Sequence, residues 1–282
     1  MTPGWWYFST AVLGCALGLL GPAPVAAQRI DDREAEEFTS SAVAAPFVRE
    51  QLLSSRVREA RNTTEASIKR LFAERGISYP AAEMYVRVFK RERTLELWVR
   101  SGNMHQFELL KAYRICALAG ELGPKRRRGD LQVPEGFYNI DMFNPSSTYH
   151  LSVRLDYPNQ RDRMANASRL NLGGDIFIHG GCRSEGCLAI TDEGINELYL
   201  VALMARSGAQ ERIPVHIFPA RFGASWDARN ATRLKHADPS VVKFWQTLKP
   251  AYYYFERHHR IPSVGLDERG NYRLVQSLFA ER

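Results

Sequence analysis

The chain has 282 residues, of which 45% are hydrophobic and 24% charged, and its formal net charge is +7. That composition excludes a disordered or fibrous chain and supplies enough apolar residues for a sizeable core. The basic excess fits an anionic partner, yet no nucleic-acid-binding motif accompanies it.

The first 27 residues contain no Asp, Glu, Lys or Arg. Their apolar run, from Ala11 to Leu20, is broken by Gly21-Pro22 and followed by Val25-Ala26-Ala27, the pattern of a secretory signal cleaved before Gln28. The run falls short of the roughly 20 residues a membrane span requires, so membrane contact is expected only through this segment. Val12-Leu13-Gly14-Cys15 is a partial lipoprotein processing box, but the apolar run continues past Cys15, which favours cleavage without lipidation.

Residues 28–77 are expected to form a polar linker and a helical arm. Val48, Leu52, Val57, Ile68, Leu71 and Phe72 recur at helical spacing, with a break predicted at Asn62-Thr63-Thr64 and an end at Gly76. The arm either packs on the main domain or docks a partner, and the apolar spacing favours packing. From Glu83 the hydrophobic period becomes two. Residues 84–89 and 94–99 read as strands around a turn at 90–93, and the β pattern continues from Phe107 to Ala117. Residues 122–130 are a basic loop; Lys125 to Arg128 are either solvated or approach an acidic polymer. Residues 133–140 read as a strand, as do 149–155, where His150 and Arg154 share one face. Residues 161–171 read as a flap-like loop.

Thr191 is a good cap for a helix whose apolar stripe is Ile195, Leu198, Tyr199 and Ala202, ended by Gly208. Residues 213–218 read as a core strand in which His216 is structural. The segment from Phe244 to Phe255 reads as an aromatic helix interrupted near Pro250. It packs on the sheet or, less in keeping with its pattern, stacks on carbohydrate. The whole predicts a mainly β fold with peripheral helices: a main domain over 78–220 and a helical extension over 221–282 packed on it.

Between these elements lies the stretch that carries chemistry. Ile176, Phe177 and Ile178 are β-formers, and His179 ends their strand. Gly180, Gly181, Ser184 and Gly186 then make a tight loop with unobstructed amides, and Cys187 follows. A free thiol of pKa about 8.5 is only a few per cent ionised at pH 7, and a neighbouring imidazole shifts it toward thiolate. A cysteine and a histidine around such a loop suit nucleophilic acyl transfer, with the amides of Gly186 and Cys187 facing an oxyanion. The same spacing also suits a glycine hairpin with ordinary buried cysteines and a core histidine. The residues by themselves leave both open.

His179-Gly180 and Ser184-Glu185-Gly186-Cys187 resemble the signature of the L,D-transpeptidase (YkuD-type) catalytic domain, in which His-Gly is followed by a variable loop and Ser/Thr-x-Gly-Cys. The likeness runs from about Ser78 to about Tyr272, including Val133-Pro-Glu-Gly-Phe, which is similar to that family's strand entrance. The loop is shorter than in most members, and Glu185 stands where most have a second histidine. Both departures resemble the murein L,D-transpeptidase-like sub-branch that includes the periplasmic enzyme detaching Braun-type lipoprotein from peptidoglycan.

The resemblance implies a YkuD-like β-sandwich and a periplasmic acyl-transfer enzyme. Its substrates would be L,D bonds at diaminopimelate in peptidoglycan stem peptides, joined by transpeptidation or hydrolysed to release wall-linked lipoprotein or peptide. It implies Cys187 as nucleophile, His179 as base, and Gly180, Ser184 and Gly186 in the oxyanion loop. Tyr149, His150 and Arg154 would line the substrate groove. It implies no cofactor, no metal and no nucleic acid. The alternative is a non-catalytic peptidoglycan-binding module of the same fold.

Signal cleavage removes Cys15 and leaves Cys116, Cys182 and Cys187. An odd count in an oxidising compartment leaves one thiol free. If that thiol is the nucleophile Cys187, then Cys116 and Cys182 remain to pair, whereas a Cys182–Cys187 bond would consume the nucleophile. A zinc site made of His179, Cys116, Cys182 and Cys187 has the right ligand types but lacks a Cys-x-x-Cys pair.

Overall fold

Strands β1 (Glu83–Phe89) and β2 (Thr94–Arg100) pair antiparallel without a slip, from Glu83 opposite Arg100 to Phe89 opposite Thr94. In this computed structural model, which describes residues 1, 45–166, 171–208, 210–223, 226 and 238–275, the pair forms part of a nine-stranded sheet. The expected secretory signal and the linker after it lie outside the described residues. Both faces of β1 are buried, and the period of two sorts them. Met84, Val86 and Val88 face the main core, while Tyr85 and Phe89 face an aromatic layer on the other side.

The remaining strands of the sheet are β3 (Glu108–Arg114), β4 (Ala117–Leu118), β5 (Gly136–Asn144), β6 (Ser152–Leu155), β7 (Phe177–His179), β8 (Leu188–Ala189) and β9 (Ile213–Phe218). Their order is β3-β2-β1-β9-β5-β6-β7-β8-β4. β3 and β4 are therefore the two edges, yet only Ile115 and Cys116 separate them in sequence. Arg114 and Ala117 are three peptide steps apart, at most about 11 Å, so the sheet has to curl until its edges meet. The connecting residues bond to opposite sides of the sheet: the Ile115 amide donates to the Arg93 carbonyl beside β2 at 2.8 Å, and the Cys116 amide to the Ala189 carbonyl of β8 at 2.9 Å. The mainly β fold with peripheral helices takes this curled form. β6 begins at Ser152, so Tyr149 and His150 precede the strand predicted to contain them.

The arm is helical, but its break differs from prediction. Helix α1 (Ala45–Leu52) ends before Ser54, which is extended, and α2 (Ser55–Glu74) runs unbroken through Asn62-Thr63-Thr64. Thr63 Oγ1 donates to the Glu59 carbonyl at 2.8 Å, which absorbs the hydroxyl within the helix instead of opening a turn. Val57, Ala60, Ile68 and Phe72 are buried in the core, so the arm packs on the sheet domain. Short helix α3 (Gln160–Ala165) forms where a loop was expected, because Asn159 and Asp162 make a reciprocal capping box. Residues 167–170 of that predicted loop lie outside the described residues.

Helix α4 (Asp192–Ser207) starts at Thr191, whose hydroxyl accepts the Gly194 amide, and buries Ile195, Leu198, Tyr199 and Ala202. Helix α5 (Pro239–His258) continues through Pro250 rather than breaking there. Its Tyr252 and Phe255 meet Phe89, Phe218, Tyr85 and Trp98 edge-on or tilted, which is packing on the sheet. A hairpin of β10 (Val264–Leu266) and β11 (Tyr272–Leu274) follows. Among the described residues, no helix is long and apolar enough to cross a membrane.

Candidate active site

β7 and β8 are parallel, with Ile178 opposite Leu188 and His179 opposite Ala189. Continuing that register by the two-residue period puts Cys187 on the same face as Ala189 and His179. The histidine and the cysteine thus stand on one face of neighbouring strands, two positions apart.

The loop between them is held by Ser184. Its Oγ accepts the Cys187 amide at 3.0 Å and the Gly186 amide at 3.3 Å, and donates to the Cys187 carbonyl at 2.7 Å. Gly186 has φ 119°, a backbone region that side chains rarely enter. A Cβ on Gly180 would overlap the Asp192 carboxylate and lie 2.8 Å from the Tyr149 carbonyl oxygen. The Gly180 amide is itself bonded to the Leu151 carbonyl at 3.2 Å. In this structure the amides of Gly180, Gly186 and Cys187 all have internal acceptors. Ser184 holds the Gly186 and Cys187 amides and so organises the loop.

His179 is 2% exposed. Its Nδ1 lies 2.6 Å from the Gly180 carbonyl oxygen. A carbonyl only accepts, so Nδ1 carries the hydrogen and Nε2 keeps its lone pair. Burial lowers the pKa of this imidazole, and the Gly180 carbonyl opposes that shift. Burial also raises the Cys187 thiol; the Phe177 amide and Lys125 oppose this, while Asp175 and Glu185 add to it. Both shifts favour neutral forms, a thiol beside an imidazole, rather than the thiolate expected from proximity. Among the described residues no hydrogen bond joins the two groups; Cys187 Sγ lies 3.7 Å from the Asp175 carbonyl oxygen.

The thiol opens onto a cavity of about 1010 Å³ whose lining includes Lys125, Arg128, Arg163, Asp175 and Glu185. Lys125 is not the solvated residue of a basic loop. It is 5% exposed and paired with Asp130, whose carboxylate also accepts the amides of Arg126 and Arg127 at 2.9 and 3.0 Å. Arg163 was missed because its segment read as a polar flap. The Asn159-x-x-Asp162 spacing was the signal for the short helix that carries it.

The three expected groove residues do not converge. The Tyr149 ring stacks on His179, 4.8 Å between centroids. His150 has φ 70° and its Nε2 lies 2.7 Å from Asn196 Oδ1, on α4. Arg154 makes two bonds to the Asp141 carboxylate at 3.0 and 3.1 Å and lines a neighbouring cavity of about 620 Å³. His150 and Arg154 therefore do not share a strand face, since His150 lies outside β6. Arg56 of α2, unmarked in the sequence, donates to the carbonyls of Ser147 and His150 at 2.6 and 2.9 Å and so holds the loop bearing Tyr149.

Cys116 and Cys182 form a disulfide with Cα atoms 5.4 Å apart, and Cys187 is free. The bond lies at the seam of the curled sheet and takes both sulfurs out of the zinc alternative.

The chain belongs to the L,D-transpeptidase catalytic domain (YkuD) family, whose profile matches residues 83–217. It is 37% identical over 185 residues to YafK of Escherichia coli (strain K12), named as a candidate L,D-transpeptidase, across 65% of this chain and 70% of that protein. Among solved structures it is similar to the helical cell shape determining protein Pgp2 from Campylobacter jejuni, at 19% identity and TM-score 0.39, over 66% of this chain and 73% of that one. Mycobacterium tuberculosis L,D-transpeptidase 1 is similar at 14% identity and TM-score 0.27, over 48% of this chain and 61% of that one.

Proposed function

We propose that this protein is a periplasmic cysteine acyl-transfer enzyme of the cell wall, acting on L,D bonds at diaminopimelate in peptidoglycan stem peptides. The observation that carries the reading is the pair itself: a free thiol on the wall of a cavity lined by charges of both signs and, on the same face of the adjacent strand, an imidazole whose tautomer leaves Nε2 as the base. Cys187 Sγ attacks the carbonyl carbon while its proton passes to His179 Nε2. The tetrahedral intermediate collapses when His179 returns that proton to the leaving amine, and the acyl group stays on sulfur as a thioester. Water then releases the acid, or an amine takes the acyl group, and Cys187 recovers its proton through His179. A neutral resting pair suits this sequence, because the proton moves only as the substrate arrives. The short loop and Glu185, together with the family membership, support hydrolytic release of wall-linked lipoprotein or peptide as the outcome.

The test is incubation of the protein with purified peptidoglycan and lipoprotein-linked peptidoglycan, with the released peptides read by mass spectrometry. Cys187→Ala is expected to release nothing while keeping the fold, and His179→Ala to slow release by a factor on the order of 10² to 10⁴. Release by the Cys187→Ala protein would overturn the nucleophile assignment. One observation favours the second reading, a non-catalytic peptidoglycan-binding module: the thiol rests against the Asp175 carbonyl rather than the imidazole. Binding without release by the unaltered protein would select that module.

A further inference from the structure

A second cleft, of about 260 Å³, lies on the far side of Lys125 from the thiol. Lys125, Arg126, Arg161, Lys243 and Arg269 line it, and no carboxylate does among the described residues. Helix α3 is the partition between the two spaces: Arg163 and Met164 line the thiol cavity, while Arg161, Ala165 and Asn166 line the cleft. Lys125 lines both.

The cations of the cleft are unevenly neutralised. Lys125 is paired with Asp130. Arg126 donates to Ser240 Oγ at 3.1 Å, and its nearest carboxylate, Asp238, is 3.8 Å away with both side chains more than half exposed, where screening leaves little of the attraction. The Arg161 guanidinium carbon lies 3.9 Å from the Phe244 ring centroid, and its buried Nε has no hydrogen-bond partner among the described residues. Phe244 thus holds the guanidinium at the cleft wall. Arg161 and Arg269 also feel the charges of Asp162 and Asp267, but neither carboxylate lines the cleft. A concave surface lined by more cationic groups than its flanking carboxylates neutralise at close range attracts anions, and guanidinium groups bind carboxylates through paired hydrogen bonds.

We infer that this cleft is a carboxylate-binding subsite for a second, acidic part of the peptide substrate whose reacting bond lies at Cys187. The substrate's identity rests on the acyl-transfer reading above. A helix with its side chains is roughly 10 Å across, and an extended peptide advances about 3.4 Å per residue, so about three residues carry a chain from one space to the other. A stem peptide or its cross-linked neighbour has that length and carries the free carboxylates of diaminopimelate. Lys125, neutralised by Asp130, forms the wall such a chain passes.

The experiment uses Lys243→Glu/Arg269→Glu, two substitutions that line the cleft and not the thiol cavity. In a Cys187→Ala background, sedimentation with purified peptidoglycan is expected to show binding weakened on the order of tenfold for the double variant, the scale of one lost charge-assisted contact. Amidating the peptidoglycan carboxyls should weaken binding of the parent similarly and of the variant little. With Cys187 present, the variant should raise KM on polymeric peptidoglycan about tenfold while kcat stays within about twofold. If the charge-reversed pair fails to fold, judged by circular dichroism, Lys243→Gln/Arg269→Gln carries the same test. Unchanged binding and KM overturn the subsite, as does amidated peptidoglycan that binds as well as the native polymer. Displacement by inorganic phosphate as effective as by a free diaminopimelate peptide overturns carboxylate selectivity. Carboxylate-dependent binding without turnover by the unaltered protein leaves the subsite standing and removes the acyl-transfer reading. Turnover with an unmoved KM does the reverse.

Discussion

The Tyr149 ring lies over the His179 imidazole, 4.8 Å between centroids and 29° between planes, and covers an imidazole that is otherwise inside the protein. Tyr149 itself is 42% exposed, so the proposed base is one ring away from solvent. Removing the ring should hydrate His179 and let its lowered pKa rise toward the ordinary value, because burial is the leading cause of the shift. Tyr149→Ala is expected to move the acid limb of the kcat/KM profile to higher pH, and Tyr149→Phe to leave it in place. An unmoved acid limb in Tyr149→Ala would refute the covering role.

Ser184 should be a positioning residue with an effect out of proportion to its size. It alone ties the Gly186 amide, the Cys187 amide and the Cys187 carbonyl together. Ser184→Ala is expected to destabilise the fold by about 1–3 kcal/mol, the usual cost of leaving part-buried backbone groups unpaired. It should also lower kcat more than it raises KM, with Ser184→Thr restoring most of both. Urea unfolding and steady-state kinetics read the two effects separately, and equal losses in Ala and Thr variants would count against the hydrogen bonds.

The Cys116–Cys182 bond closes a loop across 66 residues. Cys116→Ser/Cys182→Ser is expected to cost about 4 kcal/mol on the chain-entropy account. It should also loosen the segment leading to Cys187, lowering activity beyond the stability loss. In the mature exported protein, from which Cys15 is removed, non-reducing peptide mapping after alkylation should find one alkylated cysteine, Cys187, and one linked pair. Alkylation of Cys187 should rise with pH only above the ordinary thiol range, since burial raises its pKa. A reactive plateau near neutral pH would instead indicate a thiolate–imidazolium pair.

Two buried groups should act on stability in opposite senses. Burial, with the Arg87 charge, pushes His216 down to about 3, so the folded protein refuses a proton that the unfolded chain accepts below about 6.5. Stability from this group is lost as pH falls from about 6.5 toward 3, at about 1.4 kcal/mol per pH unit. Burial pushes Asp162 up to about 6, so the folded carboxyl holds a proton that the unfolded one releases above about 3.8. That contribution is present below about 3.8 and lost as pH rises to about 6. Relative to the parent, His216→Gln should become less destabilising as pH is lowered from about 6.5, and Asp162→Asn less destabilising as pH is raised from about 4. Urea unfolding across that range checks both, and parallel pH curves for parent and variants would contradict the assignments.

Much of this protein was written locally. The two-residue period marked β1 and β2, the apolar run over 213–218 marked β9, Thr191 announced α4, and Gly76 ended α2, because each depends on neighbours within a turn or a pleat. His179, the glycine loop, Ser184 and Cys187 were legible for the same reason: the chemistry and its spacing lie within nine residues of one chain segment. The local signals failed where a distant contact outweighed them. Asn62-Thr63-Thr64 stays helical because α2 is clamped along its length by the core, and Pro250 sits inside a helix held by aromatic packing. Tertiary structure alone decided that β3 and β4, nearly adjacent in sequence, become opposite edges brought together by curling. It alone put Arg56 and Arg163 beside a site more than a hundred and about twenty residues away along the chain, respectively. Charge state was the least legible feature. The sequence sets a thiol beside an imidazole, but whether the proton moves between them depends on how much water each one sees, and only the packed fold determines that.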